Sequence, residues 1–492
     1  MAVLTIRRGH LKQTIVFEAP QPLARLLSQA DAEMLHPCGG RGVCGKCAVM
    51  LSGNVSTPNA AELRCGVRLS CQAEIMGDAE VTLPALMPME QIAGGNKADL
   101  EPTVPMNGKY GAAVDIGTTT IALLLYDLAT GRCLGAASML NPQCSVAADV
   151  IGRIDAAMKG QALHLRQQVE NAIQTLLASA CAQAELSSND VQAMTVTGNT
   201  TMLYLLSGRD PATLSRAPFE ADHLFGHEGV VLDKSTYLPD CLHAFVGADT
   251  SCAILASGML DRHRTALLCD VGTNGELALW HRGVLYIAST AAGPAFEGAG
   301  ISCGCASIPG AIDKVQIVNG KLHCHTIGEK SAVGICGSGL LDAIASMLNT
   351  EAIDGSGYLE DDPYLLDDNV NLTQGDIRAV QLAKAAIHAG IISLLDAAQC
   401  DIGEVEAMYL AGGFGSHLNL SSAVRSGLFP AELADRVCVI GNAALDGAAL
   451  LLLDITKRAD IARIKSYAQH VRLDGNPVFA DNYINVMLFD EE

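Results

Sequence analysis

A chain of 492 residues, 49% of them hydrophobic, can bury two or three separate cores. Its formal net charge of −21 repels phosphate backbones and anionic headgroups, which argues against nucleic acid and membrane surfaces as partners. No run reaches the ~18 apolar residues of a membrane span, the N-terminus has no signal-peptide core, and 17 Cys in so long a chain read as thiols and metal ligands, so a cytoplasmic protein is expected.

Residues 1–87 are expected to form a small α+β domain. The segments VLTIRR, QTIVFEA, CAVMLSG and AEVTLPA read as strands, and PLARLLSQADAEM between them has helical spacing. After it, HPCGGRGVCGKC places Cys38, Cys44 and Cys47 in a C-x5-C-x2-C run, and Cys71 follows in RLSCQAE. Four thiolates so placed can hold a [2Fe–2S] cluster, and the intervening glycines let the backbone curl around it and aim N–H groups at its sulfurs. The plainer alternatives are four unrelated thiols or a structural zinc site, which usually pairs two C-x2-C knuckles. Cys65 is a rival fourth ligand. RLSCQ resembles the fourth-ligand segment of adrenodoxin-type ferredoxins, which favours Cys71.

Pro, Gly and Asn without periodicity mark residues 88–109 as a linker. From 110 to 492 strands alternate with long helices. GAAVDIGTTTIALLLYDLATG reads as strand, Gly/Thr turn, strand, and TALLCDVGTNGELALWHRG repeats that grammar, which predicts two related halves. Asp115 precedes Gly117, Thr118, Thr119 and Thr120 in the first, and Asp270 precedes Gly272, Thr273, Asn274 and Gly275 in the second. Two such turns face to face would clamp a polyphosphate. Asp115 could hold Mg²⁺ through water, and Asp270 could orient or deprotonate the attacking water. GICGSGLLDA sets Gly337, Ser338 and Gly339 at a helix start, an anion or ribose site. MYLAGGFGSHLNL offers Gly412, Gly413 and Gly415 as a loop on which an adenosine can lie. Any one of these alone is an ordinary Gly turn. Their order, D-I-G-T-T-T, D-V-G-T-N-G, L-A-G-G-F-G, resembles the acetate and sugar kinase/Hsp70/actin superfamily, and neither a Walker A loop nor a dinucleotide fingerprint is present. The expected fold class is α/β overall: a β-grasp, ferredoxin-like α+β domain, then a two-lobed actin-like (RNase H-like) ATPase domain that binds ATP.

Together these features resemble the reductive activators of corrinoid-dependent enzymes over nearly the whole chain. NPQCSVAADVIGRI, VTGNTTMLYLLSG and GPAFEGAGISCGCAS extend the likeness. The resemblance implies an electron passed through the cluster to reduce Co(II) to Co(I) in a corrinoid protein of a methyltransferase system, with ATP and Mg²⁺ driving the transfer. It also implies a low-potential donor such as a ferredoxin or flavodoxin, and a homodimer is compatible with it. Longer members carry a further domain between ferredoxin and ATPase, for which the linker leaves no room, so a short form lacking the middle domain is expected. Cys303 and Cys305 form a C-x-C that could join His323, Cys324 and His325 in a second redox or metal site; two reduced thiols on a Gly-rich loop is the preferred reading. Two other functions compete. One is a small-molecule kinase with an accessory redox domain. The other is an ATP-driven activator of a non-corrinoid enzyme, like those of 2-hydroxyacyl-CoA dehydratases; these share one [4Fe–4S] cluster across a dimer, which the four-Cys loop argues against.

Overall fold

The computed structural model describes residues 1–9, 11–30, 32, 34, 40, 42, 47–84, 98–318, 321–412 and 418–489. Strand Ala2–Arg8 pairs antiparallel with Leu11–Phe17 and parallel with Glu74–Leu83, which pairs antiparallel with Ala48–Val55. The period-two pattern turns Leu4, Ile6, Val81 and Leu83 inward, and helix Leu23–Gln29 covers them with Leu23, Leu26 and Leu27. Every buried member of this core lies between Ala2 and Leu83, so the segment carries a core of its own. This is the β-grasp arrangement. Asn59 caps the short helix Ala60–Cys65 in a capping box with Glu62. Glu62 Oε1 also accepts from Leu69 N and Arg68 Nε, both at 2.9 Å, which pins the segment leading to Cys71.

Two larger sheets follow, and they share one plan. In the first lobe, Tyr110–Ile116 runs antiparallel to Thr120–Asp127, which pairs with Cys133–Leu140; on its other side it is parallel to Val191–Gly198, which is parallel to Lys234–Leu238. In the second lobe, Thr265–Val271, Gly275–His281, Val284–Thr290, Ala407–Ala411 and Val437–Gly441 take the same five places with the same directions. Asp115 and Asp270 therefore occupy the same position, at the C-terminal end of each central strand. An insertion of two strands, Ala311–Val318 and Lys321–Thr326, and helix Gly337–Asn349 enlarges the second lobe.

The lobes meet through helices Ala248–Ser257 and Ala443–Leu453, each of which follows the fifth strand of its lobe. A Cβ on Gly447 would stand 2.1 Å from Cys252 O, so only glycine lets the two backbones approach this closely. Ala113, Leu124 and Tyr126 of one sheet and Leu268, Ala278 and Leu285 of the other join these helices in one core.

Residues 98–109, part of the expected linker, pack against the ATPase segment. Met106 N and Thr103 N donate to Leu452 O and Leu453 O, and Leu100 N donates to Gly131 O. The segment is docked on the ATPase because its backbone groups complete unpaired carbonyls at a helix end. Helix Gln374–Ala398 is long and apolar enough to cross a membrane, with a mean hydropathy of 1.3, yet 72% of that apolar window is buried inside the second lobe. It is that lobe's core helix, against which the strands Gly275–His281 and Val284–Thr290 pack.

Candidate functional site

Cys47 precedes strand Ala48–Val55 and is 1% exposed; Cys71 follows the short strand Arg68–Leu69. Their Sγ atoms lie 3.3 Å apart without a disulfide. Gln72 Nε2 donates to Gly40 O at 2.6 Å, and a Cβ on Gly42 would stand 2.9 Å from Ala61 Cβ. Both glycines have positive φ, and Gly40 packs beside Cys71, 3.8 Å separating a Cβ built there from Cys71 Cβ. Two adjacent thiols beside these two glycines fit two of the four ligands of an iron–sulfur cluster. Cys38 and Cys44 lie outside the described residues, as does the side chain of Cys65, which ends its helix. Changing Cys71 to Ser is expected to disrupt or alter the cluster, because a hard hydroxyl is poorly matched to iron–sulfur chemistry, whereas Cys65→Ser leaves it intact. The EPR signal of the reduced variants decides; loss in Cys65→Ser with Cys71→Ser unaffected reverses the assignment.

The second site lies between the lobes, in a cleft of ≈ 280 Å³. Asp115, Gly117, Thr118, Thr119 and Thr120 line one wall, and Asp270, Gly272, Thr273 and Asn274 the other; Gly337, Ser338 and Gly412 also reach it. Gly275 and Gly339 do not line it. Their role is packing: a Cβ would stand 2.6 Å from Thr290 Oγ1 at Gly275 and 2.2 Å from Ile312 O at Gly339. Gly413 and Gly415 lie outside the described residues. Gly412 has φ +95°, and a Cβ there would stand 2.7 Å from Asp270 Oδ1, so the strand end must stay bare beside that carboxylate. Of the C-x-C pair, Cys305 lines the cleft, while Cys303 Sγ faces Asn371.

Five residues that sequence reasoning passed over complete the cleft: Asn199, Asp249, Glu276, Glu297 and Asn442. Glu297 Oε2 accepts from Thr119 Oγ1 and Thr273 Oγ1, each at 2.6 Å, and so ties the two turns together across the cleft. Asn199 caps helix Thr200–Ser207 and donates to Thr118 Oγ1 at 3.0 Å. Asn442 caps helix Ala443–Leu453 and donates to Asp115 Oδ2 at 3.2 Å. Behind the first turn, Asn141 Nδ2 donates to Gly117 O, and the fully buried Arg153 donates to Thr118 O, Ala147 O and Gln143 Oε1. One signal was available in the sequence. FVGADTSCA and VIGNAALDGAA both run from apolar residues through Gly into a small-residue helix, which points to the two helix starts that carry Asp249 and Asn442.

The cleft concentrates negative charge. Burial, then the neighbouring Asp249, pushes the Asp115 carboxyl up to about 8. Burial, then Asp249 and Glu297, pushes Asp270 up to about 7. Asp249 rises through burial, and Glu276 rises through burial with Asp249 and Asp270 adding to it. Hard oxygen donors crowded this way fit Mg²⁺, and the turn amides and Thr hydroxyls beside them fit phosphate oxygens. Because Asp115 and Asp270 hold their protons more tightly when folded, their contribution to stability is complete below the ordinary value of 3.8 and is lost as pH rises through about 7–8. Melting in EDTA is therefore expected to fall between pH 5.5 and 8 and to be restored at pH 8 by Mg²⁺-ADP. The same fall in Asp249→Asn would assign it to general charge repulsion instead.

A ferredoxin-like segment followed by two lobes that share a carboxylate-lined cleft defines an iron–sulfur ATPase. Family comparisons match residues 8–76 to the 2Fe-2S iron-sulfur cluster binding domain, 110–262 to the RACo middle region, and 264–492 to the C-terminal ASKHA domain of RACo. The chain is 33% identical over 431 residues to the corrinoid activation enzyme RamQ of Eubacterium limosum, covering 79% of this chain and 72% of that protein. It is 25% identical over 417 residues to a [Co(II) methylated amine-specific corrinoid protein] reductase of Methanosarcina barkeri, covering 76% of each. A solved reductive activator for corrinoid,iron-sulfur protein shares its fold, with a TM-score of 0.73 over 99% of this chain and 98% of that one at 24% identity. The chain belongs to the RACo family of corrinoid reductive activators. The expected absence of the middle domain is corrected: the residues matching that region, 110–262, are those that build the first lobe, so the family's middle region is not an insertion in the linker.

Proposed function

We propose that this chain reductively activates a corrinoid protein, passing one electron from a low-potential donor through a [2Fe–2S] cluster to convert Co(II) to Co(I), with ATP hydrolysis in the interlobe cleft. The observation that carries this reading is the union, on one chain related to a corrinoid activation enzyme, of a ferredoxin segment and a two-lobed ATPase. When bound, the cluster supplies one-electron transfer and Mg²⁺-ATP supplies the free energy that biases it.

The protein's own residues do the rest. Cys38, Cys44, Cys47 and Cys71 hold the cluster. Thr118, Thr119, Thr120, Thr273 and Asn274 grip phosphate oxygens from both walls, Asp115 and Asp249 hold Mg²⁺, and Asp270 orients the attacking water and takes its proton. Gly412 leaves space for the adenosine, and Gly337 and Ser338 present the N-terminus of a 13-residue helix. Glu297, which spans the two turns, is placed to report lobe closure. Plant-type clusters sit near about −400 mV, and each 100 mV of uphill transfer costs about 2.3 kcal/mol per electron, within reach of an ATP-linked closure. The donor would be a ferredoxin or flavodoxin. None of the described Cys forms a disulfide, which supports a reducing, cytoplasmic setting.

Dividing the chain tests the coupling. Residues 1–95 contain their own core and all four ligands, and are expected to take up the cluster yet fail at sustained reduction of a Co(II) corrinoid protein. Residues from 98 onward are expected to bind nucleotide and transfer no electron. Separation removes the high effective concentration and the ATP-linked bias between states. The corrinoid spectrum, followed with excess reductant and Mg²⁺-ATP, reads the result. Full activity of the first piece without ATP would reduce the ATPase to an unrelated activity.

A further inference from the structure

Strand Gly275–His281 starts at the second nucleotide turn and ends about 20 Å away, at the opposite rim of its sheet. His281 sits there, 2% exposed, with Nδ1 2.9 Å from Thr265 Oγ1 on the neighbouring strand. Its Nε2 is buried without a hydrogen-bond partner among the described residues. An orphaned ring nitrogen in so dry a place is unfavourable unless something completes it. Cys400, 8% exposed, follows Gln399, the C-cap of the core helix, and Glu404 lies in the next turn, Ile402–Glu404. A ring nitrogen of His281, Cys400 Sγ and a Glu404 carboxylate oxygen all lie within 4.8 Å of one another.

We propose that His281 Nε2, Cys400 Sγ and the Glu404 carboxylate form a binding site for a divalent metal of the zinc class, separate from both the cluster and the nucleotide cleft. The donor set decides the class. A thiolate excludes Mg²⁺ and Ca²⁺, and one nitrogen, one sulfur and one oxygen match zinc. Thiolate and carboxylate balance the charge of the ion, and the thiol, which now donates to Asp401 O at 3.4 Å, gives up its proton on binding. Thr265 plays the supporting part, since a hydrogen bond from Nδ1–H fixes the tautomer that leaves a lone pair on Nε2. Tetrahedral zinc with bonds of about 2.0–2.3 Å sets its ligand atoms about 3.3–3.8 Å apart, so the triad needs to close by no more than about 1.5 Å on binding. Arg282, whose Nη2 lies 3.4 Å from Glu404 Oε2, has a 70% exposed side chain and can swing into water. Glu404 Oε1 accepts from Asp401 N at 3.3 Å, which orients the carboxylate. Three protein ligands leave a fourth position for water. The ion would staple the end of the core helix to the far end of the strand that carries Asn274 and Gly275 at its other end.

The test uses the full chain with its cluster assembled, stripped of adventitious metal by EDTA and titrated with Zn²⁺ against a chromophoric chelator, with iron content checked throughout. The parent is expected to bind one tight Zn²⁺ per chain. Cys400→Ser should weaken it about 100-fold and Glu404→Gln at least about 10-fold, with iron content unchanged. Glu404 is exposed, and Cys400→Ser exchanges the buried thiol for a hydroxyl of nearly the same size, so the variants should fold; matched cluster spectra and melting in EDTA would confirm it. Co²⁺ in place of Zn²⁺ should give a thiolate-to-cobalt charge-transfer band that Cys400→Ser lacks. Equal Zn²⁺ affinity in the parent and Cys400→Ser, or Zn²⁺ uptake only as iron is lost, overturns the proposal.

Discussion

Replacing Asp270 by Ala is expected to lower ATP hydrolysis by about 10²–10⁴-fold while leaving the visible spectrum of the cluster unchanged. Asp270 ends the central strand of the second lobe, beside a bare Gly412, and burial with Asp249 and Glu297 nearby raises its affinity for a proton. A carboxylate so tuned can take a proton from water near neutral pH. Asp115→Ala should be as damaging for a different reason, since its carboxylate belongs to the oxygen cage proposed for Mg²⁺. Both variants remove one charge from a repelling group, so neither should melt below the parent in EDTA; a gain in stability with a loss of activity is the expected signature. Phosphate release and melting, measured side by side, check this. Hydrolysis at the parent rate in both variants would show that the paired turns are not a phosphate clamp.

Arg153→Ala is expected to destabilise the ATPase segment by about 3–5 kcal/mol, through a cavity and several orphaned acceptors. Arg153 is fully buried, and burial holds its guanidinium below its ordinary range. It donates to Thr118 O, Ala147 O and Gln143 Oε1 and so fixes the first cleft turn from behind. A typical domain has only about 5–15 kcal/mol to lose. Nucleotide affinity should fall with stability, by at least about tenfold, because a loosened turn must be reordered on binding. Arg153→Lys keeps a charge but not the fork, and should fall between the two. Urea unfolding and nucleotide binding on the same samples separate the roles. Unchanged affinity in a destabilised Arg153→Ala would make the residue a packing element only.

The sequence by itself determined whatever depends on local backbone chemistry. Alternating apolar residues marked the paired strands, Asp-x-Gly-Thr marked both turns that line the cleft, and C-x5-C-x2-C marked the loop expected to hold the cluster. Each is written within about a dozen residues, and the echo between the two hairpins follows from strand, Gly and hydroxyl recurring in the same order. Tertiary structure decided everything that depends on residues far apart in the chain. Glu297 reaches Thr119 across 178 residues, and Asn442 reaches Asp115 across 327. No local period announces either of them. The docking of residues 98–109 on helix Ala443–Leu453 is likewise invisible locally, because a segment of Pro, Gly and Asn looks the same whether its backbone groups meet water or a helix end. Spacing could show where a carboxylate ends a strand. Only the closing of two sheets onto one core shows that Asp115, Asp249, Asp270, Glu276 and Glu297 share a single cleft. Burial there raises the proton affinity of Asp115, Asp249, Asp270 and Glu276, with neighbouring carboxylates adding to it at Asp115, Asp270 and Glu276, and the gathered oxygens fit the cleft for a divalent cation and phosphate.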